Sequence, residues 1–290
     1  GKLHIPNGDK AQHIIEDLRG SDFLVDSVIN KERRNRPAAP FITSTLQQEA
    51  WRKLRMTSRR SMVIAQQLYE GISLGDQGSE GLITYMRTDS TTVSQSALAE
   101  TRAYVKQKFG PQYLPKSPRL YTKKVKGAQE AHEAIRPTSI DWAPDSVKKY
   151  LSKEQFQLYG LIWRRMVASQ MADVLFDSTT VDIVGAGLKS SVEYKLRATG
   201  SVLKFPGFRR VYMEDRDDSD PTESDETRPL PSLISGESLA CPSLTPEQHF
   251  TEPPPRYTEA TLIREMEEQG IGRPSTYAPT IATVMDRDYV

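Results

Sequence analysis

The apolar residues change period once along this chain, and that change constrains the fold more than any other feature. After Ser152, the residues Phe156, Tyr159, Trp163, Met166 and Val167 recur at steps of three and four. Ser152-Lys153-Glu154-Gln155 opens this run, so a long helix is expected there. Beyond Ala172 the pattern alternates, and strands are expected over 178–184, 192–198 and 208–213, with a further one at 239–244. Upstream, a short helical pattern near 12–18 and a strand at 23–29 precede a proline-punctuated basic segment at 31–40. A helix is expected from Ser44, where Ser44-Thr45-Leu46-Gln47 is a capping-box pattern, with an apolar stripe of Leu46, Ala50, Trp51 and Leu54. Ser58 opens another, with Met62, Ala65, Leu68 and Tyr69 as its core face and Gly71 as its C-cap. Ser90 or Ser94 caps a third that runs to Phe109 and closes at Gly110. The stretch 111–145 is loop-rich. Pro253, Pro254 and Pro255 mark a boundary. Past it, Thr258 starts a helix ending at Gly270, and Pro274 or Ser275 starts another ending near Met285. The expectation is an α+β, multidomain chain in which a β-rich arch links two parts of the sequence.

Charge is distributed unevenly. The formal net charge is +1, yet residues 214–226 carry eight acids and one base, leaving +8 on the rest. Residues 31–60 hold nine bases against two acids. Such a block suits phosphate contact, with Arg59 and Arg60 among its bases, and it equally suits a solvated helix face. The acidic stretch 214–228 has almost no apolar residues and reads as a mobile loop. No apolar run reaches the ~20 residues that span a bilayer, the start lacks the apolar core of a signal peptide, and no membrane partner is expected. The single cysteine, Cys241, excludes an internal disulfide and a thiolate zinc cluster, in keeping with a reducing interior.

The chemistry concentrates in Gly81-Leu82-Ile83-Thr84-Tyr85-Met86-Arg87-Thr88-Asp89-Ser90. Read as a strand, this segment puts Ile83, Tyr85, Arg87 and Asp89 on one face. A phenol is a possible nucleophile, and a guanidinium matches a phosphate with its planar donor fork. The same pattern fits a half-buried strand tyrosine beside a surface arginine. His132 lies in Glu130-Ala131-His132-Glu133-Ala134-Ile135-Arg136-Pro137-Thr138. In a helical turn His132 and Arg136 would share a face and could grip a phosphate, although Pro137 works against a helix at Arg136. The segment lacks the second histidine of a zinc-protease motif. Gly272-Arg273-Pro274-Ser275-Thr276 opens a helix, whose N-terminus favours anions or is simply capped by Ser275.

Taken together, these three blocks closely resemble those of the type IA DNA topoisomerases, the bacterial topoisomerase I family. The first is Gly81 to Ser90 and the second Gln129 to Thr138. The third is Pro253-Pro254-Pro255-Arg256-Tyr257-Thr258-Glu259-Ala260-Thr261-Leu262-Ile263, continuing through Gly270 to Tyr277. The resemblance implies a toroid fragment: a mostly helical domain III at 43–171, inserted in a β-rich arch, domain II, at 1–42 and 172–252. Residues 253–290 would be part of helical domain IV. It makes Tyr85 the nucleophile that forms a 5′-phosphotyrosyl bond with one DNA strand, with Arg87 beside it. Thr88 and Asp89 would shape the site, Asp89 by a salt bridge to Arg87, and His132 and Arg136 would lie near the scissile phosphate. Arg273, Ser275, Tyr277 and Arg287 would bind single-stranded DNA. The family relaxes negatively supercoiled duplex DNA without ATP, in the cytoplasm at the nucleoid. Its Mg²⁺ is held by an acidic Asp-x-Asp-x-x-Glu cluster on a Toprim domain. No such block occurs here: Asp215-Arg216-Asp217 sits in the acidic stretch. The chain then reads as a fragment that binds no metal itself, needs the missing Toprim domain of the same protein, and is inactive alone. A non-catalytic module binding single-stranded nucleic acid is the alternative. A tyrosine recombinase fits less well, because its nucleophile follows its arginine and histidine residues.

Overall fold

Polar side-chain caps set five helix starts and glycines set two helix ends among the described residues. The structure, a computed structural model, describes residues 3–121, 132–213 and 229–289. The expectation for 214–228 and the residues Gln129 to Ala131 fall outside these. The described residues form helices α1 (Gly8–Leu18), α2 (Thr43–Leu54), α3 (Ser58–Glu70), α4 (Gln95–Phe109), α5 (Pro144–Val147), α6 (Lys153–Ser169), α7 (Glu259–Glu268) and α8 (Tyr277–Asp286). The strands are β1 (Phe23–Asn35), β2 (Ile72–Ser73), β3 (Ser79–Glu80), β4 (Val174–Ala186), β5 (Glu193–Phe205) and β6 (Ser238–Leu239). Side-chain oxygens of Ser94, Ser152 and Thr258 accept third-residue N–H groups at the starts of α4, α6 and α7. Each satisfies a donor that helix geometry leaves without a partner.

The chain divides into two compact units. The first comprises residues 1–34, 175–205 and 221–254. Its sheet runs in the order β5-β4-β1-β6, and β4 pairs antiparallel with β5 from Leu175/Phe205 to Ala186/Glu193. Leu18, Phe23, Val25, Phe176 and Val181 are buried. Exposed charges on the strands neutralise one another: Lys204 bridges Glu32 and Asp177, and Arg197 clasps Asp182 with two donors. The second unit comprises residues 35–174, 206–220 and 255–290. Here α2, α3 and α6 bury Leu46, Ala50, Ile64, Leu68, Leu158, Ile162, Met166 and Val167. Tyr159 and Trp163 pin the 140–142 loop, donating to the carbonyls of Trp142 (2.6 Å) and Ile140 (3.0 Å). A smaller cluster of Ile263, Met266, Tyr277 and Ile281 joins α7 to α8.

Several boundaries depart from the sequence expectation. Strand β1 continues through the basic residues to Asn35. Helix α2 starts at Thr43, because Thr45 Oγ1 takes the Ile42 N–H (3.1 Å); Ser44 is buried inside the helix. Residues 208–213 are not a strand. Phe208 donates to the Ala172 carbonyl (3.0 Å) and accepts from the N–H groups of Val211 and Tyr212, so the segment closes a 3₁₀ turn over Gly207–Arg210. Of the strand expected at 239–244 only Leu239 forms, with Ser238 before it, paired with Phe23 and Leu24. Helix α8 starts at Tyr277, two or three positions late, since Thr276 Oγ1 takes the Arg273 N–H (2.8 Å) and closes a turn first. Tyr69, expected in the core, is 41% exposed.

One carboxylate organises the β4–β5 hairpin of the first unit. Asp17 is buried and accepts from the N–H groups of Lys189 (2.7 Å) and Ser190 (3.0 Å), the Ser190 hydroxyl, and the Tyr194 hydroxyl (2.8 Å). These donors, the Ser190 hydroxyl first, hold its carboxyl well below the ordinary range. The depressed folded value means this contribution is complete above the unfolded value of about 3.9 and fades as pH falls further. Asp17→Asn should strip exchange protection from the Lys189 and Ser190 amides at neutral pH while sparing α2–α3–α6. Amide hydrogen exchange measures this; unchanged protection in Asp17→Asn would mean the turn holds without its acceptor.

Candidate active site

Residues 81–92 make no strand ladder. Only an isolated bridge, Ile83 to Pro137, and another, Phe41 to Ile135, join the strand-like segments here. The backbone groups are satisfied piecewise by distant partners. Leu82 N–H donates to Leu68 O at the end of α3 (2.7 Å), and Thr138 N–H donates back to Leu82 O (3.0 Å). Thr84 N–H reaches Arg136 O (2.9 Å), and Thr84 Oγ1 donates to Ala134 O (2.6 Å) and accepts from Arg136 N–H (3.0 Å). Ala134 N–H donates to Thr92 O (2.8 Å). These links carry His132 to the neighbourhood of Tyr85, with ring centroids 5.4 Å apart.

The N-terminal turn of α2 clamps the other half. Thr43 N–H donates to Thr88 O (2.9 Å). Thr43 Oγ1 accepts Thr88 N–H (2.9 Å) and lies 2.7 Å from Met86 O and 3.0 Å from Thr88 O. Thr88 Oγ1 in turn accepts Ser90 N–H (3.0 Å). Met86 and Thr88 are therefore buried, and Tyr85, Arg87 and Asp89 face the other way. The strand expectation thus fails as regular structure, and its alternation survives only over 85–90. Ile83 is buried and does not share the face.

Tyr85, Arg87, Asp89, His132, Arg273, Pro274 and Ser275 line one cleft of about 310 Å³. The first three come from the 81–92 segment, His132 from the segment leading to Ile135, and the last three from the turn before α8. Gly272 permits that turn: its φ is +84°, and a Cβ there would meet the Tyr277 ring at 3.2 Å. Arg273 Nη1 donates to Gly272 O (2.7 Å). Two guanidinium groups and an imidazole face one carboxylate, so the cleft suits an anion.

Other expected site residues lie elsewhere. Thr88 is buried behind the cleft. Arg136 does not share a face with His132, because the chain is extended there. Its guanidinium is turned to Glu133 Oε2 (2.6 Å) and the Pro137 carbonyl (2.9 Å). Among the described residues Arg87 makes no ion pair with Asp89. Tyr277 is packed into the α7–α8 cluster, and burial, then Glu267, raises its phenol above the ordinary value. Arg287 follows the last turn of α8 and is exposed. Arg59 and Arg60 are exposed on the first turn of α3, and Arg60 is paired with Glu154 on α6. Thr43, Thr84 and Tyr69, whose ring is 5.5 Å from that of Tyr85, carry no local signal that marks them. Their partners lie 16 to 52 positions away.

A divalent cation does not fit these residues. Asp89 is the one carboxylate in the cleft lining, and Mg²⁺ takes oxygen ligands in octahedral array. Among the described residues no group of three His, Cys, Asp or Glu side chains is placed to hold a metal. No helix among them is long and apolar enough to cross a membrane.

A family profile described as DNA topoisomerase matches residues 2–290. The chain is 50% identical over 280 residues to DNA topoisomerase 1 of Xylella fastidiosa strain 9a5c, covering 97% of this chain and 34% of that protein. It is 48% identical over 290 residues to DNA topoisomerase 1 of Rickettsia felis, covering all of this chain and 36% of the relative. The structure of full-length topoisomerase I from Thermotoga maritima superposes with a TM-score of 0.77 at 35% identity, over 99% of this chain and 44% of that one. The chain thus spans about a third of the length of the curated relatives it matches.

Thr43→Val keeps the shape of the side chain and removes its hydroxyl. Burying the freed Met86 and Thr88 backbone groups without a partner should cost about 1–3 kcal/mol in urea unfolding. Thr43→Ser should recover most of it. Equal stability of Thr43→Val and wild type would show that another group holds 86–88.

Proposed function

The chain belongs to the DNA topoisomerase family, and from that premise we propose that it is the part of a type IA enzyme that carries the strand-cleaving tyrosine. The observation that carries this reading is the cleft itself, in which a phenol, two guanidinium groups and an imidazole from three stretches of sequence converge. The Tyr85 oxygen attacks a backbone phosphorus of single-stranded DNA. A tyrosyl O–P bond forms, the bond from phosphorus to the 3′ oxygen breaks, and that oxygen leaves as a protonated 3′-hydroxyl. The phosphodiester energy is kept in the 5′-phosphotyrosyl linkage, so the reverse step reseals the strand without ATP. Arg87 supplies positive charge that stabilises the transition state. His132 and Arg273 hold the phosphate, and Ser275 contributes a hydroxyl at the same rim.

Thr88 acts through the clamp at Thr43, and Arg136 through the extended segment that presents His132. Tyr277 fixes the turn that bears Arg273. Arg287, Arg59 and Arg60 are proposed as more distant contacts with single-stranded DNA. Residues 1–42 and 172–252 are read as domain II, 43–171 as domain III and 253–290 as part of domain IV. The substrate in the whole enzyme is negatively supercoiled duplex DNA, in the cytoplasm. Mg²⁺ and its acidic ligands come from a Toprim domain that these residues do not supply.

The chain alone with Mg²⁺ should therefore leave supercoiled DNA unrelaxed. With the Toprim-bearing part added in trans, a 3′-labelled oligonucleotide assay should trap a covalent adduct with wild type and none with Tyr85→Phe, at nearly equal DNA affinity. Adduct on the Phe variant would place the nucleophile elsewhere; binding without adduct in any mixture would favour a non-catalytic single-strand-binding module.

Arg273→Ala should weaken oligonucleotide binding by an amount nearly independent of base sequence, since a phosphate contact reads no base edge. It should also flatten the salt slope by roughly 0.7. Fluorescence titrations at several salt concentrations measure both. Coincident slopes would remove Arg273 from the interface.

A further inference from the structure

We propose that Tyr69 is a positioning residue for Tyr85. Tyr69 is on the last turn of α3, and its ring centroid lies 5.5 Å from that of Tyr85 at an interplanar angle of 65°. This edge-on arrangement is the favoured one for an aromatic pair. The surrounding backbone fixes the separation. The β2–β3 hairpin returns the chain to the end of α3, where Leu82 N–H bonds Leu68 O (2.7 Å). At Gly81 the approach is so close that a Cβ would lie 2.6 Å from the Tyr69 carbonyl oxygen. The residue on this crossing has no side chain, and Tyr69 and Tyr85 meet just beyond it.

Core packing does not account for Tyr69. Its helical neighbours Ala65 and Leu68 are fully buried, whereas Tyr69 is 41% exposed. Its ring contact is with Tyr85, whose other aromatic neighbour is His132. A tyrosine side chain changes the direction of its oxygen by rotating about χ1 between staggered wells. The Tyr69 ring occupies space that such a rotation sweeps, and so keeps the Tyr85 oxygen directed into the cleft lined by Arg87 and Arg273. Tyr69 touches neither the phosphate nor the reacting atoms; it acts through Tyr85.

This role rests on the reading of Tyr85 as nucleophile, whereas the ring contact itself does not. Two readouts separate them. In this chain with labelled tyrosine, NMR three-bond couplings report the Tyr85 χ1 rotamer populations. In the trans-complemented cleavage assay, adduct formation is resolved into rate and DNA affinity. Tyr69→Ala should spread Tyr85 over more than one χ1 rotamer and slow adduct formation about 10- to 100-fold, with oligonucleotide affinity unchanged. Tyr69→Phe should match wild type in both. Should Tyr69→Ala fail to fold, Tyr69→Leu, which keeps bulk without a ring, is read in its place. An unchanged χ1 population in the ringless variant, or a Tyr69→Phe that behaves like Tyr69→Ala, overturns the proposal. Adduct persisting in Tyr85→Phe would instead overturn the nucleophile assignment and leave the ring contact standing.

Discussion

The hydroxyl of Thr43 is the interaction on which the cleft depends. A segment without a ladder must satisfy its backbone polar groups one by one, because each buried group left without a partner costs about as much as a lost hydrogen bond. Thr43 meets this need for Thr88 N–H and a neighbouring carbonyl at once, from the first turn of a helix whose own N–H groups are partly unmatched. Helix α2 is anchored by its buried Leu46 and Ala50, so the clamp is rigid. With Met86 and Thr88 held inward, Tyr85, Arg87 and Asp89 have the opposite side left to face. A regular strand would give the same alternation, but neighbouring strands would pair along both its edges. The piecewise bonding instead leaves one flank open for the turn at Gly272.

Cations divide into two groups on this surface. Arg60, Arg119, Arg136 and Arg197 are each committed to a carboxylate within hydrogen-bond reach. The exposed pairs, Arg60 with Glu154 and Arg197 with Asp182, contribute little to stability, but they do neutralise a basic surface locally. Arg87 makes no ion pair or hydrogen bond among the described residues, and Arg273 spends one donor on its own neighbour's carbonyl. Four or more donors of each therefore remain for a ligand. In the basic block at 31–60, Glu32 takes Arg34 and Glu49 takes Arg52, the two acids already counted against it, and Glu154 of α6 takes Arg60 from outside it. Charge density along a sequence does not reveal such partners, whereas the cleft does.

What was legible in the sequence was local. Ser94, Ser152 and Thr258 act within three residues of themselves, so their helix starts could be read directly. Gly71 and Gly110, both with positive φ, mark helix ends for the same reason. The family blocks name Tyr85, Arg87, Asp89, His132, Arg273 and Ser275, and these six line one cleft. Illegible were the features set by bonds across tens of residues. The break-up of 81–90 depends on Thr43, Leu68 and Arg136. The 3₁₀ turn at 207–210 depends on the Ala172 carbonyl, and Tyr69 leaves the core because Tyr85 lies beside it. Residues 208–213 alternate as a strand should, yet the nearest acceptor is the end of the α6 connection and not a neighbouring strand.

Tyr277 shows how a buried side chain serves a polar rim. The resemblance places it among DNA contacts, yet its ring is packed with Ile263, Met266 and Ile281, and its phenol is raised by that burial. The ring lies against Gly272, whose positive φ starts the turn, and Thr276 closes the same turn through Arg273 N–H. Arg273 and Ser275 are thus held by apolar packing on one side and by a four-residue backbone turn on the other. Loops bearing polar residues over a rigid scaffold are the usual carriers of binding function. A guanidinium on a free loop would lose conformational entropy on gripping a phosphate, and the packed Tyr277 removes part of that cost before any ligand arrives. The hydrophobic cluster between α7 and α8 and the anion-facing turn are therefore one device, and the strength of the second depends on the integrity of the first.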